Sequence, residues 1–171
     1  MPATALLCLV LAVQDGDSLQ VRCEDTPPRS APVTVRIHAI DAPEYGQAYG
    51  RRARQALRDM VDRQTVALHC VDRDPYGRRV CQVLKPASTG EPPQDVGLAL
   101  VEGGLAWWYR AFSAAQAPVD RARYEAAEAA ARAGHRGLWR EGERAVPPWR
   151  WRHAQARGAA GIGGSSGTPS E

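Results

Sequence analysis

The start of the chain contains a hairpin pattern that constrains the fold more than any other feature. Residues 6–13 are almost all apolar, the pair Asp15-Gly16 follows, and residues 18–23 then alternate between polar and apolar side chains. Aspartate and glycine tolerate the left-handed backbone that a tight turn needs. Cys8 and Cys23 lie about equally far from this turn, so they would face each other across two antiparallel strands. The pattern predicts a β-hairpin.

A second hairpin of the same design is predicted in the middle of the chain. Residues 65–71 and 79–84 have the pattern of strands on either side of a turn at 74–77, and Cys70 and Cys81 lie about equally far from that turn. In an oxidising compartment the four cysteines would form two cross-strand disulfides. The alternative is four small buried thiols. No C-x-x-C pair is present, which argues against a structural zinc site.

The remaining segments predict further strands and three helices. Residues 33–40 form a β-branched run typical of a strand, and residues 105–109 are predicted to be the last strand and to close the sheet. Helices are predicted at about 49–63, 95–103 and 117–133, from apolar periodicity and from end signals such as an N-capping aspartate and a terminal glycine. These patterns alone predict one domain of mixed β and α structure.

The length of the chain favours one compact domain with a tail. Its 171 residues, 44% of them hydrophobic, suffice for one core. We expect the domain to cover residues 1–140 and a Pro/Trp/Arg-rich extension to cover 141–157. The Gly/Ser-rich residues 158–171 have little to bury and are predicted to be disordered.

The extension interleaves tryptophans with arginines, in Pro147-Pro148-Trp149-Arg150-Trp151-Arg152. Such a segment can bind single-stranded nucleic acid. The interpretation we favour is a tryptophan clamp that folds back on the domain.

Charge and the N-terminal segment narrow the function only slightly. The net charge of +3 and the pI of about 8.8 favour an anionic partner mildly. Lys85 is the single lysine, and guanidinium forks match phosphate in a two-pronged way, although a GC-rich genome also explains the arginine excess.

Residues 4–13 are apolar but have no positively charged n-region and are too short to span a membrane, so we interpret them as a buried strand. No convincing signal peptide is present. The compartment stays open, with secretion or the periplasm favoured if the cysteines form disulfides.

Three short segments contain the residues from which chemistry is predicted. They are Asp15-Gly16-Asp17-Ser18, residues 36–44 and residues 74–78. Asp17 and Asp41 supply the oxygen ligands that a hard divalent cation prefers. Glu44 follows Asp41 closely enough to activate a water molecule beside the same ion. Arg36 and Arg78 would then face a phosphate group.

In identity and order these segments resemble the signature of the staphylococcal nuclease (thermonuclease) family, V-x-D-G-D-[ST], R-hydrophobic-D-x-P-E and D-x-Y-G-R. Landmarks at 104–107, 124–128 and 137–139 extend the resemblance over about 6–139. The resemblance implies an α+β fold that is mainly β, a five-stranded OB-fold barrel with three packed helices. It also implies a Ca²⁺-dependent nuclease, an endonuclease that hydrolyses phosphodiester bonds of DNA and RNA with little sequence specificity. We expect such a protein to be a monomer with no membrane partner.

The resemblance also implies roles for the acidic residues. Asp17 and Asp41 match the carboxylates that hold Ca²⁺, and Ala42 matches a threonine that contributes its backbone carbonyl. Alanine keeps this carbonyl and loses a hydroxyl, which puts metal affinity rather than activity in question. Asp15 would support the ligands indirectly, and a turn-forming aspartate is the alternative. Glu44 matches the general base.

The other matched residues would contact the substrate. Arg36 and Arg78 match the arginines that bind the scissile phosphate and stabilise its growing charge. Tyr76 matches a tyrosine near the nucleotide phosphate, and Tyr109, with Phe112, falls near tyrosines that stack on a base. The lysine-rich loop that the family has after the Pro-Glu pair is mostly missing here, so substrate affinity or strand preference is expected to differ.

Two other functions are compatible with parts of the sequence. The first is a catalytically inactive OB-fold module that only binds nucleic acid. Such modules typically lose the carboxylates or arginines, whereas Arg36, Asp41, Glu44 and Arg78 are all present here. The second is a disulfide-stapled interaction module, which explains the cysteines and none of the other motifs.

Overall fold

The computed structural model describes residues 5–87 and 90–161. Its strands are β1 (Leu6–Val13), β2 (Ser18–Cys23), β3 (Val33–Ile37), β4 (Ile40–Asp41), β5 (Thr65–Arg73), β6 (Arg79–Lys85), β7 (Gln94–Asp95) and β8 (Trp107–Trp108). Its α-helices are α1 (Gly50–Val61), α2 (Val96–Glu102), α3 (Pro118–Ala133) and α4 (Pro148–Gly161). Two 3₁₀ segments cover Arg110–Ala115 and Gly137–Arg144.

Five strands close into a barrel. They hydrogen-bond in the order β3-β2-β1-β5-β6, and the parallel pairing of β3 with β6 completes the circle. Alternate side chains of these strands are buried in the interior, among them Val10, Leu19, Val35, Leu68 and Val83. The predicted fold, a five-stranded OB-fold barrel with packed helices, is confirmed.

Both predicted disulfides are present. In the β1–β2 hairpin Cys8 lies opposite Cys23, and in the β5–β6 hairpin Cys70 lies opposite Cys81, and each pair is bonded. The prediction succeeded because residues equidistant from a hairpin turn become cross-strand neighbours.

The expectation that residues 105–109 close the sheet was wrong. Only Trp107–Trp108 forms a strand, and it pairs antiparallel with β4, where Asp41 lies opposite Trp107. The barrel is closed instead by β3 and β6, which pair over Val35 to Ile37. An apolar, aromatic run indicates strand structure but does not identify the partner, because pairing is decided by distant parts of the chain.

The three predicted helices pack against the barrel and each other. Helix α1 buries Ala53 and Leu57 against the core, and α2 lies between the barrel and α3. The predicted N-cap Asp95 accepts a hydrogen bond from the Leu98 N–H at 3.1 Å. The Asp95 carboxylate also accepts the Tyr124 hydroxyl at 2.8 Å, so it links α2 to α3.

The C-terminal extension folds back on the domain, as the clamp interpretation predicts. Trp149 on α4 lies 5.6 Å from Trp107 and 5.3 Å from Tyr109, measured between ring centroids. Helix α4 continues to Gly161 and so includes the first four residues of the segment predicted to be disordered, while residues 162–171 lie outside the described residues. The division into three parts stays a prediction. None of the described helices combines the length and apolarity of a membrane span.

Candidate active site

Asp17 ends the turn of the first hairpin and directs a carboxylate oxygen to the chain just after β4. Its Oδ2 accepts the Ala42 N–H at 2.7 Å. The backbone of Asp17 is held on both sides, because its N–H donates to Asp15 Oδ1 at 3.0 Å and its carbonyl accepts the Ile37 N–H at 2.8 Å. Gly16 permits this close approach, since a Cβ at that position would lie 2.6 Å from the Ala42 Cβ. The Asp15 hydrogen bond to the Asp17 N–H is also what the alternative, a turn-forming aspartate, predicts, so the supporting role of Asp15 stays a prediction.

Arg36 joins the two candidate ligand carboxylates. It lies on β3 opposite Ser18, next to the first hairpin turn. A turn in which Ala39 has a left-handed φ of 60° separates β3 from β4 and brings Asp41 back beside Arg36. The Arg36 Nη1 atom lies 3.1 Å from Asp17 Oδ2, and its Nη2 atom lies 3.1 Å from Asp41 Oδ1. One guanidinium therefore bridges both carboxylates.

The two carboxylates are almost completely buried. Asp17 is 6% exposed and Asp41 is 1% exposed. Burial raises the pKa of Asp17 to about 7, although the Arg36 guanidinium acts in the opposite direction. A buried carboxylate keeps its proton when nearby positive charge is insufficient. A positive charge beside this carboxylate would favour its ionised form.

Glu44 lies at the rim of the site, between β4 and α1. The Gln47 side chain holds its backbone, because Gln47 Oε1 accepts the Glu44 N–H at 3.2 Å. Helix α1 starts at Gly50, where any Cβ would collide with the Glu44 carbonyl oxygen. The Glu44 side chain is 37% exposed, so its carboxylate reaches solvent beside the buried pair. This position suits a group that takes a proton from water.

Arg152 on α4 also enters the site, and the sequence analysis missed it. Its Nη1 atom donates to Asp41 Oδ1 at 3.1 Å and to Glu44 Oε1 at 2.7 Å, and its Nη2 atom donates to Asp41 Oδ2 at 2.9 Å. The hydrogen bonds that Arg152 donates to Asp41 raise its pKa above its ordinary value; partial burial acts in the opposite direction, and the bond to Glu44 adds to the increase. The alternation of Trp and Arg in this segment indicated a special role but did not identify the carboxylates as partners.

Arg78 and Tyr76 extend from the turn of the second hairpin. Arg78 Nε donates to Asp74 Oδ2 at 2.6 Å, and its guanidinium lies 5.6 Å from the centre of the Tyr76 ring. Partial burial opposes the ionisation of Asp74, but hydrogen bonds from Arg78 outweigh it, so the pKa of Asp74 lies below its ordinary value. Tyr76 is 85% exposed. Asp74 thus orients Arg78 while leaving the aromatic ring accessible.

A group of aromatic rings also lies beside these residues. The Tyr109 ring centroid lies 5.1 Å from that of Phe112 and 5.3 Å from that of Trp149. Phe112 is more than half exposed. His38 fixes this segment, because its Nε2 atom lies 3.0 Å from the Phe112 carbonyl oxygen. Exposed aromatic faces of this kind can stack on a nucleobase.

The residues predicted from sequence converge on one cleft of about 600 Å³. Arg152 and Phe112 also line it. The predicted residues that line it are Asp15, Asp17, Arg36, Asp41, Ala42, Glu44, Tyr76, Arg78 and Tyr109. They come from both hairpin turns, the β3–β4 region and the segment after β8, so the fold assembles them from distant parts of the chain.

The buried carboxylates offer the type of oxygen donor that a hard dication prefers. Across residues 5–87 and 90–161 no group of three His, Cys, Asp or Glu side chains is arranged to hold a metal ion. Asp17 and Asp41 supply two buried carboxylates, and Ala42 is hydrogen-bonded to one of them. Because Ca²⁺ takes six to eight oxygen ligands, backbone carbonyl and water oxygens would complete its shell.

Comparison with known proteins agrees with this architecture. A family model described as "Staphylococcal nuclease homologue" matches residues 34–141. The chain is 40% identical to Protein ParB of Escherichia coli over 84% of this chain and 77% of that protein. It is 37% identical to the micrococcal nuclease of Shigella flexneri over 85% of this chain and 79% of that protein. It is also 35% identical to an uncharacterized endonuclease of Escherichia coli O157:H7, over 84% of this chain and 83% of that protein.

A barrel of this type and relatives of this similarity define a hydrolase of the nuclease class. The chain belongs to the staphylococcal nuclease family.

Proposed function

We propose that this protein is a Ca²⁺-dependent nuclease that hydrolyses phosphodiester bonds of both DNA and RNA with little sequence preference. The observation that carries the proposal is the buried Asp17–Asp41 pair, bridged by Arg36, at the base of a cleft lined by further arginines and aromatic rings. Two buried carboxylates attract a hard dication, and the arginines attract phosphate.

Asp17, Asp41 and the carbonyl of Ala42 are the residues that would hold Ca²⁺. When bound, the ion supplies positive charge to the phosphate and to nearby water. Burial is the main cause of the raised pKa of Asp17, and a dication beside this carboxylate would favour its ionised form.

The remaining polar residues would carry out the hydrolysis. Glu44 accepts a proton from the attacking water, whose oxygen forms the new bond to phosphorus. The bond from phosphorus to the leaving sugar oxygen then breaks, and that oxygen takes up a proton from solvent water. Arg36 and Arg78 donate hydrogen bonds to the phosphate oxygens, where negative charge increases as phosphorus becomes five-coordinate.

Recognition would rest on phosphate charge and on stacking. Tyr76 and Tyr109 present rings to the cleft, and every base has a π-face that can stack on them. Neither type of contact distinguishes the bases well. All the residues invoked belong to one chain, so the proposed site needs no second copy.

The two disulfides support maturation in an oxidising compartment, that is, a secreted or periplasmic protein. Mass spectrometry of the protein isolated from its native cells, alkylated before lysis, tests this point. Four alkylated cysteines would contradict it.

The cation assignment is tested by replacing both carboxylates. We expect the double variant Asp17→Ala, Asp41→Ala to lose Ca²⁺ binding in a calorimetric titration and to lose cleavage. The physical reason is that a hard dication would be left without an anionic oxygen ligand. Cleavage is measured on single-stranded DNA, duplex DNA and RNA with Ca²⁺, Mg²⁺ or a chelator.

A matched control removes two acids outside the cleft, Glu125→Ala and Glu143→Ala, whose side chains are exposed. This control should bind Ca²⁺ and cleave like the parent. Retained Ca²⁺ affinity and cleavage in the Asp17, Asp41 variant would refute the metal site. A parent that binds nucleic acid but cleaves none of the substrates in Ca²⁺ would instead be a catalytically inactive binding module.

A further inference from the structure

Helix α4 places a guanidinium on the two acidic residues that the proposed reaction needs most. Arg152 contacts both carboxylate oxygens of Asp41, at 3.1 and 2.9 Å, and Glu44 Oε1 at 2.7 Å. Asp41 Oδ1 also accepts a hydrogen bond from Arg36 at 3.1 Å. Each oxygen of the Asp41 carboxylate therefore already has a positively charged partner.

In this arrangement Arg152 occupies the same carboxylate that a cation would use. Asp41 is 1% exposed, so charges beside it are weakly screened by water. A dication bound to either oxygen of Asp41 would lie close to the Arg152 guanidinium, and like charges at such a distance repel. The Arg152 side chain itself is 46% exposed. It can therefore move from Asp41 into solvent, where water hydrates its charge.

The contact does not depend on Arg152 alone, because α4 is anchored near it. Trp149, three residues earlier on the same face of α4, packs against Tyr109 and Trp107. Just before α4, the carbonyl of Val146 accepts a hydrogen bond from the Gln47 side chain. These contacts hold the start of α4 beside the cleft and so keep the local concentration of the Arg152 guanidinium high.

We infer that Arg152 is an internal competitor of the cation, so that the C-terminal helix sets the Ca²⁺ concentration at which the site becomes competent. In the cation-free protein Arg152 neutralises Asp41 and blocks one oxygen of Glu44. Binding of the dication displaces it and frees Glu44 to accept a proton. This inference rests on the proposed cation site, to which it adds a regulatory residue from outside the matched segment 34–141.

The inference is tested by titrating Ca²⁺ into the full chain without nucleic acid. If the paired state holds about 90% of the cation-free molecules, its loss should tighten Ca²⁺ binding about tenfold in Arg152→Gln. The Ca²⁺ concentration for half-maximal cleavage should fall by about the same factor. Arg152→Lys should show a smaller change than Arg152→Gln, because its ammonium group keeps a positive charge beside Asp41, although it cannot engage both Asp41 oxygens and Glu44 together.

The matched control is Arg150→Gln, which removes an exposed arginine from the same helix. We expect its Kd for Ca²⁺ to stay within about twofold of the parent value. Equal tightening in both variants would overturn the inference, because it would reflect net charge alone. An unchanged Kd in Arg152→Gln, with slower cleavage at saturating Ca²⁺, would overturn it too and would identify Arg152 as a phosphate contact.

Two outcomes of these Ca²⁺ titrations separate failure of this inference from failure of the proposed function. If Asp17→Ala, Asp41→Ala abolishes Ca²⁺ binding while Arg152→Gln leaves the Kd unchanged, the proposed site stands and the competition is refuted. If the parent itself binds no Ca²⁺, both are refuted. A thermal melt of each variant shows whether it is folded, and Arg152→Lys serves as the reporter if Arg152→Gln does not fold.

Discussion

Single arginines decide the electrostatics of this site. Arg36 makes two buried carboxylates compatible with a folded protein, because one fork pairs with Asp17 and Asp41 together. Arg78 is held by Asp74 in the turn of the second hairpin, about one-third exposed and ready to contact a ligand in the cleft. A planar guanidinium can pair with two carboxylates, or with one carboxylate and a ligand, because its donors are fixed in direction.

Replacing Arg78 by lysine should separate binding from cleavage. The variant Arg78→Lys keeps the charge but loses the two-pronged geometry, so we expect it to bind an oligonucleotide nearly as well as the parent. Cleavage should be slower by about a hundredfold, because a donor aimed at developing charge contributes about 2.7–4 kcal/mol in comparable sites. Binding by anisotropy in a chelator and single-turnover cleavage in Ca²⁺ measure the two effects.

The same change at an exposed arginine, Arg140→Lys, should alter neither quantity. Equal losses of binding and cleavage in Arg78→Lys would show that Arg78 only anchors the phosphate.

At the level of the secondary-structure elements, the two hairpins place an acidic, an aromatic and a basic residue in the cleft. The β1–β2 turn supplies Asp17, and the β5–β6 turn supplies Tyr76 and Arg78. Each hairpin is cross-linked by a disulfide, with sequence separations of 15 and 11 residues. The disulfides restrict the strands in the unfolded chain and so favour the register from which both turns project.

Removing either disulfide should destabilise the barrel by a similar amount. We expect Cys8→Ala, Cys23→Ala and Cys70→Ala, Cys81→Ala each to lower the free energy of unfolding by about 3 kcal/mol in the chain-entropy model. Urea unfolding with and without reductant measures the change. Mass spectrometry of the non-reduced, protease-digested protein should find both predicted links, and a Cys23–Cys81 link would contradict the pairing.

At the scale of the whole molecule, the helical layer supports the site through one buried carboxylate. Glu128 on α3 is 2% exposed. Its Oε1 accepts the backbone N–H of Trp108 at 3.2 Å, and its Oε2 lies 3.0 Å from Arg110 Nη1. Trp108 belongs to β8, which pairs with β4 and so with the strand that bears Asp41. Helix α3 is thereby connected to the base of the cleft.

Removing the Glu128 carboxylate should lower the free energy of unfolding more than removing only its charge. Glu128→Ala leaves the buried Trp108 N–H without an acceptor, so we expect the free energy of unfolding to fall by about 1–3 kcal/mol. Glu128→Gln retains an acceptor oxygen and should lose less than half as much. The control Glu125→Ala changes the exposed face of the same helix and should stay within about 0.5 kcal/mol of the parent. Urea unfolding provides the comparison, and equal losses in all three variants would contradict this role.

Local signals account for what could be predicted before the structure. The two hairpins, their disulfides and the Asp95 cap follow from turn residues, equal spacing and capping chemistry, all of which act over a few residues. Asp17, Arg36, Asp41 and Glu44 were identified because they lie in short motifs at strand ends, and the structure brings them into one cleft. Their chemical roles remain proposals.

Long-range packing accounts for what could not. Trp107 and Trp108 were recognised as a strand, yet their partner is β4 and the barrel closes between β3 and β6. Arg152 lies 111 residues after Asp41 along the chain, and only the packing of α4 on Trp107 and Tyr109 brings the two together. Residue order thus determined the local elements and identified the candidate site residues other than Arg152, because turns, caps and motifs are local. The strand partners and the guanidinium on Asp41 were decided by tertiary contacts, since no local pattern encodes which distant surfaces meet.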